Sequence, residues 1–454
     1  MLGRLESMIR EVDADFVDIR YEIKTETVVS FVGREIKSVG SNTTDGFVVR
    51  VLREGGFSSA TVTREEDVPA SIRLALEGAD TIRKTGGKRV TLADVPVVED
   101  VVKPPLDIDP REVEIDEKIR LTEKYNEIML DRPETVTTRL TYREVARDKH
   151  YVNSQGTAVS EVLVTTNILG EVIAGKDGVS QNVRVAIGGA DGFRKLLDRE
   201  ELFHERSGIA AGLLDARSVK GGTYDVVLNP GLAGVFTHEA FGHFSEADII
   251  EDNPGLRNKM VLGAELGSRE VTIVADSTLP GQVGYYKYDD EGVLVKPVTL
   301  MNEGVLTGRL HSRATAAGFG EPPTGHAVAE DMRFEPIVRM GTIFIKPGGH
   351  TLEELLRKLG DGLYLLDGKG GQTSGENFTF GAQYGFIVEG GKVGPMIRDV
   401  NIMGNLFTTL KSIEAVGNEM VLSESGGCGK GQINIKSALG GPSVLIREMV
   451  VGGA

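Results

Sequence analysis

Apolar positions recur along this chain at two spacings, and the switch between them marks its elements. Leu5, Met8, Ile9 and Val12 stand at i, i+3, i+4 and i+7, which predicts a helix over residues 3–13. Short β-branched and aromatic runs follow at Phe16–Ile23, Thr27–Val32, Gly46–Leu52 and Phe57–Thr63. Turn signals at Gly33, Ser41-Asn42 and Gly55-Gly56 separate them, which predicts an antiparallel meander. Helical spacing returns at Glu65–Lys84 and ends at Gly86-Gly87. Residues 87–113, with Pro96, Pro104, Pro105 and Pro110, read as a linker-like segment with little regular structure. A helix at about 115–130 leads into strands over 135–190, with turns at Asn153–Gly156 and Lys176–Gly178, and a helix near 199–215. Beyond it, the strand Thr223–Leu228 runs through Asn229-Pro230-Gly231 into an apolar helix. The last 180 residues are mostly short strands, with one more helix at Leu352–Leu359.

This pattern predicts an α+β protein of two domains rich in antiparallel β-sheet, residues 1–217 and 218–454. At about 150 residues per domain, 454 residues agree with two or three. The 58 glycines fit a strand-rich chain with many turns and close backbone approaches. A net charge of −16 repels phosphate backbones and anionic lipid, so sequence-independent nucleic-acid or membrane binding is not expected. No run approaches 18 apolar residues, and Glu6, Glu11, Asp13 and Asp15 stand where a signal peptide would keep an apolar core. The single cysteine, Cys428, cannot form an internal disulfide and suits a reducing cytoplasm.

The chemistry concentrates in His238-Glu239-Ala240-Phe241-Gly242-His243, on the apolar helix after the Thr223–Leu228 strand. Two imidazoles with a glutamate beside the first make the ligand-plus-base arrangement of zinc peptidases. The usual spacing is i, i+4; here it is i, i+5, and at about 100° per residue the two rings would diverge by about 140° on a regular helix. A shared metal therefore requires one extra residue in the helix, most simply as a π-bulge, which Gly242 makes cheaper. The strongest third ligand is Cys428, flanked by glycines in Ser425–Gln432, where a thiolate can be approached closely. Glu353 and Glu354 are the rival ligands, although an exposed face of a short helix is the more common fate of such acids.

His238–His243, Asp289–Val293 (DDEGV), Pro322–Gly325 (PPTG), Pro336–Met340 (PIVRM), Thr373–Phe378 (TSGENF) and Cys428–Gln432 (CGKGQ) appear in an order that resembles the TldD branch of the TldD/PmbA family, often called modulators of DNA gyrase. Gly46–Leu52 and Gly56–Thr63 extend the resemblance over nearly the whole chain. It implies a cytoplasmic zinc metallopeptidase with one Zn²⁺ per chain held by His238, His243 and Cys428. Glu239 would be the general base. The substrates implied are unfolded or flexible peptides, cut in a cavity between two subunits, as a homodimer or with a PmbA/TldE-type partner that lacks the zinc ligands. Arg339 is a weak candidate for binding a substrate carboxylate, and its more usual role would be a structural ion pair. His326 departs from the family pattern, which typically has Asn after PPTG, and could alter what lines the site. Two other readings compete: a dipeptidyl peptidase III-like enzyme with Glu353 or Glu354 as third ligand, and a non-catalytic interaction subunit.

Overall fold

The structure is a computed structural model that describes residues 1–453. Strands β1 (Phe16–Val32), β2 (Glu35–Arg53), β3 (Gly56–Val62), β4 (Glu99–Val102), β5 (Thr135–Asn153), β6 (Ala158–Lys176) and β7 (Val179–Gly189) form one sheet. Its order is β3-β2-β1-β5-β6-β4, with β7 also on β6. All pairings are antiparallel except β4 on β6. The two runs read at Phe16–Ile23 and Thr27–Val32 are one continuous strand. Ser41-Asn42, expected as a turn, lies within β2 opposite Thr27 and Glu26. The reason is that residues 35–45 are exposed on both faces, so no alternation of apolar and polar side chains marks them as strand. Residues 87–113, expected to be irregular, contain β4 and a 3₁₀ turn at Pro110–Glu112.

Four helices cover this sheet. From α1 (Leu2–Ile9) and α2 (Val68–Thr85), Leu5, Ile9, Val68 and Ile72 pack on Val17, Ile19, Val49 and Val51. From α3 (Ile115–Leu130) and α4 (Glu200–Asp215), Tyr125, Met129, Phe203 and Leu213 pack on Leu140, Ile168, Val172 and Val183. The helical periodicities of the sequence thus fall where expected, because each stripe has a strand face to bury.

The rest of the chain builds two further main sheets around one helix, α5 (Pro230–Ala240). In the larger, the strands 362–374, 222–228, 444–452, 400–405 and 377–389 pair in succession, and the last pairs again with the first, closing a ring. Residues 342–345 and 438–441 belong to the smaller sheet. Helix α5 packs against strands of both, with Leu232, Phe236 and Ala240 fully buried. That is why residues 230–236 are apolar on every side, and polar groups enter only in the last turn. At Gly234 the helix backbone lies so close to the 438–441 strand that a Cβ would come within 2.5 Å of the Gly440 nitrogen.

The two parts of the chain meet through buried charge. The Asp289–Gly292 turn is closed by the Asp289 carboxylate, which accepts from the amides of Glu291, Val293 and Ala327. Its other two acids reach the first sheet: Asp290 lies 3.2 Å from Lys149 and Glu291 lies 2.9 Å from Arg50, which also pairs with Asp18. Among the described residues, no helix is long and apolar enough to cross a membrane.

Phe236 is the anchor of α5, fully buried with its ring edge-on to Phe378 at 5.5 Å. Phe236→Ala removes an aromatic side chain at a cost of about 3–5 kcal/mol. Calorimetry should show the melting temperature of this part falling by about 6 °C or more. A change under about 2 °C would mean that α5 is held by something else.

Candidate metal centre

The helix that carries the histidines is launched by local chemistry. After Leu228, the Asn229 side chain accepts from the Leu232 amide and Pro230 occupies the first turn, an N-terminus that needs nothing from elsewhere. Its far end is what matters. The helix stops at Ala240; Phe241 leaves helical geometry at φ −128°, and Gly242–Ser245 form a tight 3₁₀ turn. The expected π-bulge is therefore absent, because ending the helix absorbs the odd residue without disturbing the bonds behind it: Phe241 N still donates to Thr237 O. The ring centroids of His238 and His243 come to 5.0 Å, nearly perpendicular. Gly242 serves by its size rather than its flexibility, since a Cβ there would lie 2.2 Å from Met340 Sδ.

Cys428 arrives from the opposite end of the sequence. Its amide and carbonyl pair with those of Ile435 at 2.9 and 3.1 Å, forming a small hairpin. Its Sγ stands 3.3 Å from His243 Nε2. Donor atoms of His238, His243 and Cys428 all lie within 4.8 Å of one another. Donors on one tetrahedral ion stand about 3.3–3.7 Å apart, so these three need little adjustment to hold one. Buried His238 Nδ1 has no partner in the protein, which leaves that nitrogen available to a group from outside the chain. The donor set, two imidazoles and a thiolate, suits zinc among common divalent ions.

Glu239 lies at the edge of this cluster, its Oε2 4.0 Å from His243 Nε2. The Thr373 hydroxyl donates to the Glu239 carbonyl oxygen at 2.5 Å and stands 3.3 Å from its Oε2. Together with His243, Phe244, Thr373, Cys428 and Lys430, Glu239 lines an open cleft of about 660 Å³.

Behind His243 sits Glu246, wholly buried, with Oε2 3.3 Å from His243 Nδ1. Lys430 reaches the same carboxylate at 3.0 Å, both oxygens of Asp248 at 2.7 and 2.9 Å, and Val338 O at 2.7 Å. A carboxylate on the far nitrogen of a ligating imidazole fixes which nitrogen faces the metal. Lys430 extends that tie to the hairpin that carries Cys428. Burial would raise the Glu246 carboxyl, but His243, Lys430 and Arg339 hold it down at about 2. Burial would likewise raise the Cys428 thiol and lower His243. Their hydrogen bonds to each other, to His238 and to Glu246 outweigh it, giving a thiol at about 5 and an imidazole at about 10.

The remaining candidates lie elsewhere. Arg339 is not in the cleft: it is completely buried, its Nε 3.7 Å from Glu246, so the carboxylate it meets is the chain's own. His326 is also fully buried, Nδ1 3.0 Å from Thr324 O, and burial brings it down to about 4. Glu353 is largely exposed beside Arg357, and Glu354 caps its own helix in a reciprocal pair with Thr351. Neither acid is part of the His–His–Cys cluster. Glu246, Lys430 and Thr373 were not singled out from sequence. Lys430 and Thr373 lie inside the CGKGQ and TSGENF segments, and Glu246 follows His243 by three residues, the reach of one tight turn.

Comparisons with known proteins agree along the whole chain. The PmbA/TldA metallopeptidase C-terminal domain matches residues 221–453, domain 1 matches 17–82 and the central domain matches 108–215. A metalloprotease of Synechocystis is 34% identical over 100% of this chain and 97% of its own length. A protein of Saccharolobus solfataricus named as a zinc metalloprotease TldD homologue is 29% identical over 98% of both. Among solved structures, TldE from Thermococcus kodakarensis superposes with a TM-score of 0.79 at 17% identity, covering 100% of this chain and 99% of that one, a likeness of fold.

In the metal-free protein His243 is protonated below about 10 and Cys428 ionised above about 5. Between these limits a metal must displace one proton, from His243. Apparent affinity should therefore fall by about tenfold for each pH unit lowered through this window. Chelator competition at pH 7 and 8 measures it, and equal affinities at the two would rule out a protonated His243.

Proposed function

The chain belongs to the PmbA/TldD metallopeptidase family, and from that premise we propose that it is a zinc-dependent peptidase acting on unfolded or flexible peptides. The observation that carries this reading is the convergence of His238, His243 and Cys428 beside the Glu239 carboxylate at the edge of an open cleft. His238, His243 and Cys428 would hold one Zn²⁺ per chain; bound there, zinc supplies polarisation of the scissile carbonyl and acidifies water toward a pKa of about 7. Glu239 takes the proton from the attacking water and hands it to the departing amine. Thr373 holds Glu239 in place by its hydroxyl, leaving the carboxylate facing the donors. Glu246 keeps His243 in one orientation and does not itself meet the substrate.

The cleft wall combines five glycines with the side chains of Phe244, Ile249, Asn253 and Leu256. Glycines at 370, 371, 375, 427 and 429 expose main chain to a bound peptide, and Phe244, Ile249 and Leu256 offer it an apolar surface. Peptide captured along a strand edge is recognised mainly through its main chain, which suits broad selectivity for unfolded segments. The residues that make this centre all belong to 218–454, which we assign as the metallopeptidase domain, with 1–217 as the N-terminal α+β domain. The outer half of β2, exposed on both faces with Ile36 and Val39 uncovered, suits pairing with a second copy or with a PmbA/TldE-type subunit. A thiolate ligand and no partner for a disulfide suit work in a reducing cytoplasm.

Glu239→Gln should retain zinc and lose at least about a hundredfold in hydrolysis of an unfolded protein substrate, since general-base catalysis contributes on that order. Cys428→Ala should lose bound zinc, measured side by side with wild type by elemental analysis. Full peptidase activity in Glu239→Gln would remove its catalytic role. Zinc undiminished in Cys428→Ala would remove the cysteine from the ligand set, and wild type free of both zinc and activity would leave an interaction subunit.

A further inference from the structure

The metal cleft carries an apolar surface that the mechanism does not use. Three side chains reach it from the stretch after the second histidine: Phe244, Ile249 of α6 (Ala247–Glu251) and Leu256 of α7 (Pro254–Lys259). Phe244 and Leu256 are 4% and 8% exposed and belong to the core of this part of the chain, so the cleft meets only an edge of each. Ile249 packs on the same core but is only partly buried, and it is the most open of the three. Asn253 keeps Leu256 in place, because its side-chain oxygen accepts from the Leu256 amide at 3.1 Å and so starts α7.

Among the described residues, the ionisable groups on the cleft wall are Glu239, His243, Cys428 and Lys430. The first three make up the metal centre and its base. Lys430 is already committed to Glu246 at 3.0 Å, to both oxygens of Asp248 and to Val338 O. A charged substrate side chain laid against Phe244, Ile249 and Leu256 would give up water and gain no partner, whereas an apolar one gains by leaving water. An extended peptide turns alternate side chains to opposite sides. With its main chain on the glycines, it therefore presents one side chain near the scissile bond to the apolar wall and turns the two flanking ones away.

We propose that this wall is a selectivity subsite, which directs cutting to bonds flanked by an apolar residue, with Ile249 the side chain that sets the preference. The inference rests on the peptidase reading and adds to it which bonds of a flexible chain are chosen. Recognition through the main chain stays broad, and one preference is laid over it. That preference has a consequence for the substrate class. Leucine, isoleucine and phenylalanine are mostly inside a folded protein and become reachable when the chain is unfolded. A subsite that asks for one of them therefore favours unfolded segments over the polar loops of folded proteins.

The test uses a flexible host peptide of small polar residues with leucine, phenylalanine, lysine or aspartate at one central position. Zinc-loaded wild type and Ile249→Glu are given each peptide, and mass spectrometry reads the cut bond and kcat/KM. Binding of the same peptides to Glu239→Gln, which leaves them whole, is measured by fluorescence anisotropy. Wild type should cut the leucine and phenylalanine hosts beside the varied residue about tenfold or more faster than the lysine and aspartate hosts, with binding in the same order. Ile249→Glu should reverse the order of leucine and lysine. Equal cleavage of all four hosts by wild type would overturn the proposal and leave the peptidase reading standing. Ordered binding with no cleavage by wild type would overturn the peptidase reading and keep the subsite. An unchanged leucine preference in Ile249→Glu would remove Ile249 as its determinant. If that variant does not fold, the wild-type comparison still decides the subsite, and Ile249→Ala, which only removes apolar surface, should narrow the gap between leucine and lysine.

Discussion

Two histidines five residues apart cannot face one point from a regular helix, and much of the centre is arranged around that constraint. The chain meets it by stopping α5 between them. His238 is held by the last helical turn and His243 by the tight turn that follows, so each ring is fixed by a different piece of backbone. The break can be this sharp because it is buried. Phe241, Phe244 and Met340 surround it, and Gly242 leaves room for the methionine sulfur. A solvent-exposed helix end would fray at that position; here the packing leaves one conformation.

Fixing His243 apart from the helix creates a second need, because an imidazole at the end of a short turn must be oriented by something else. Glu246 does so at the cost of burying a carboxylate completely. The cost is met by three positive groups, His243, Lys430 and Arg339, gathered around it. Lys430 then has a double role. It neutralises Glu246 and, being two residues from Cys428, sets where the thiolate stands. Ligands 185 residues apart in sequence are thereby tied to one carboxylate. Arg339, the side chain most easily taken for a substrate anchor, is part of this support.

What the sequence revealed and what it hid follow from the same physics. Helices α2, α3 and α4 and the strand before α5 were legible because each is specified by its own residues, through the spacing of its apolar positions. The outer half of β2 was not, since a strand exposed on both faces carries no alternation, and its hydrogen bonds to β1 leave no mark on side-chain pattern. The His–Glu–His cluster and Cys428 were legible as chemistry, because histidine and cysteine are scarce in this chain, with 7 and 1 residues. The way the helix accommodates them was not. A π-bulge and a helix end look alike in sequence, and only the packing of Met340 and Ile343 around Gly242 decides between them. Glu246 was invisible for a similar reason: an acid three residues past a histidine is ordinary until Arg339 and Lys430 arrive from elsewhere.

The same logic governs the charged side chains around the site. In the metal cleft every charged side chain either lines the donors or supports a residue that does. Behind it, Arg143, Arg147, Lys24 and Lys149 are satisfied by Glu26, Glu22, Asp331 and Asp290. Much of the buried charge where the two parts of the chain meet is paired. Arg50 is shared between Asp18 and Glu291, and Asp290 sits among Lys149, Arg20 and Arg147, which hold its carboxyl well below the usual range despite burial. Arg339 is the exception: it is wholly buried and its guanidinium has no hydrogen-bond partner in the protein, only the Glu246 carboxylate at 3.7 Å, so it acts on Glu246 through charge rather than through a directed bond.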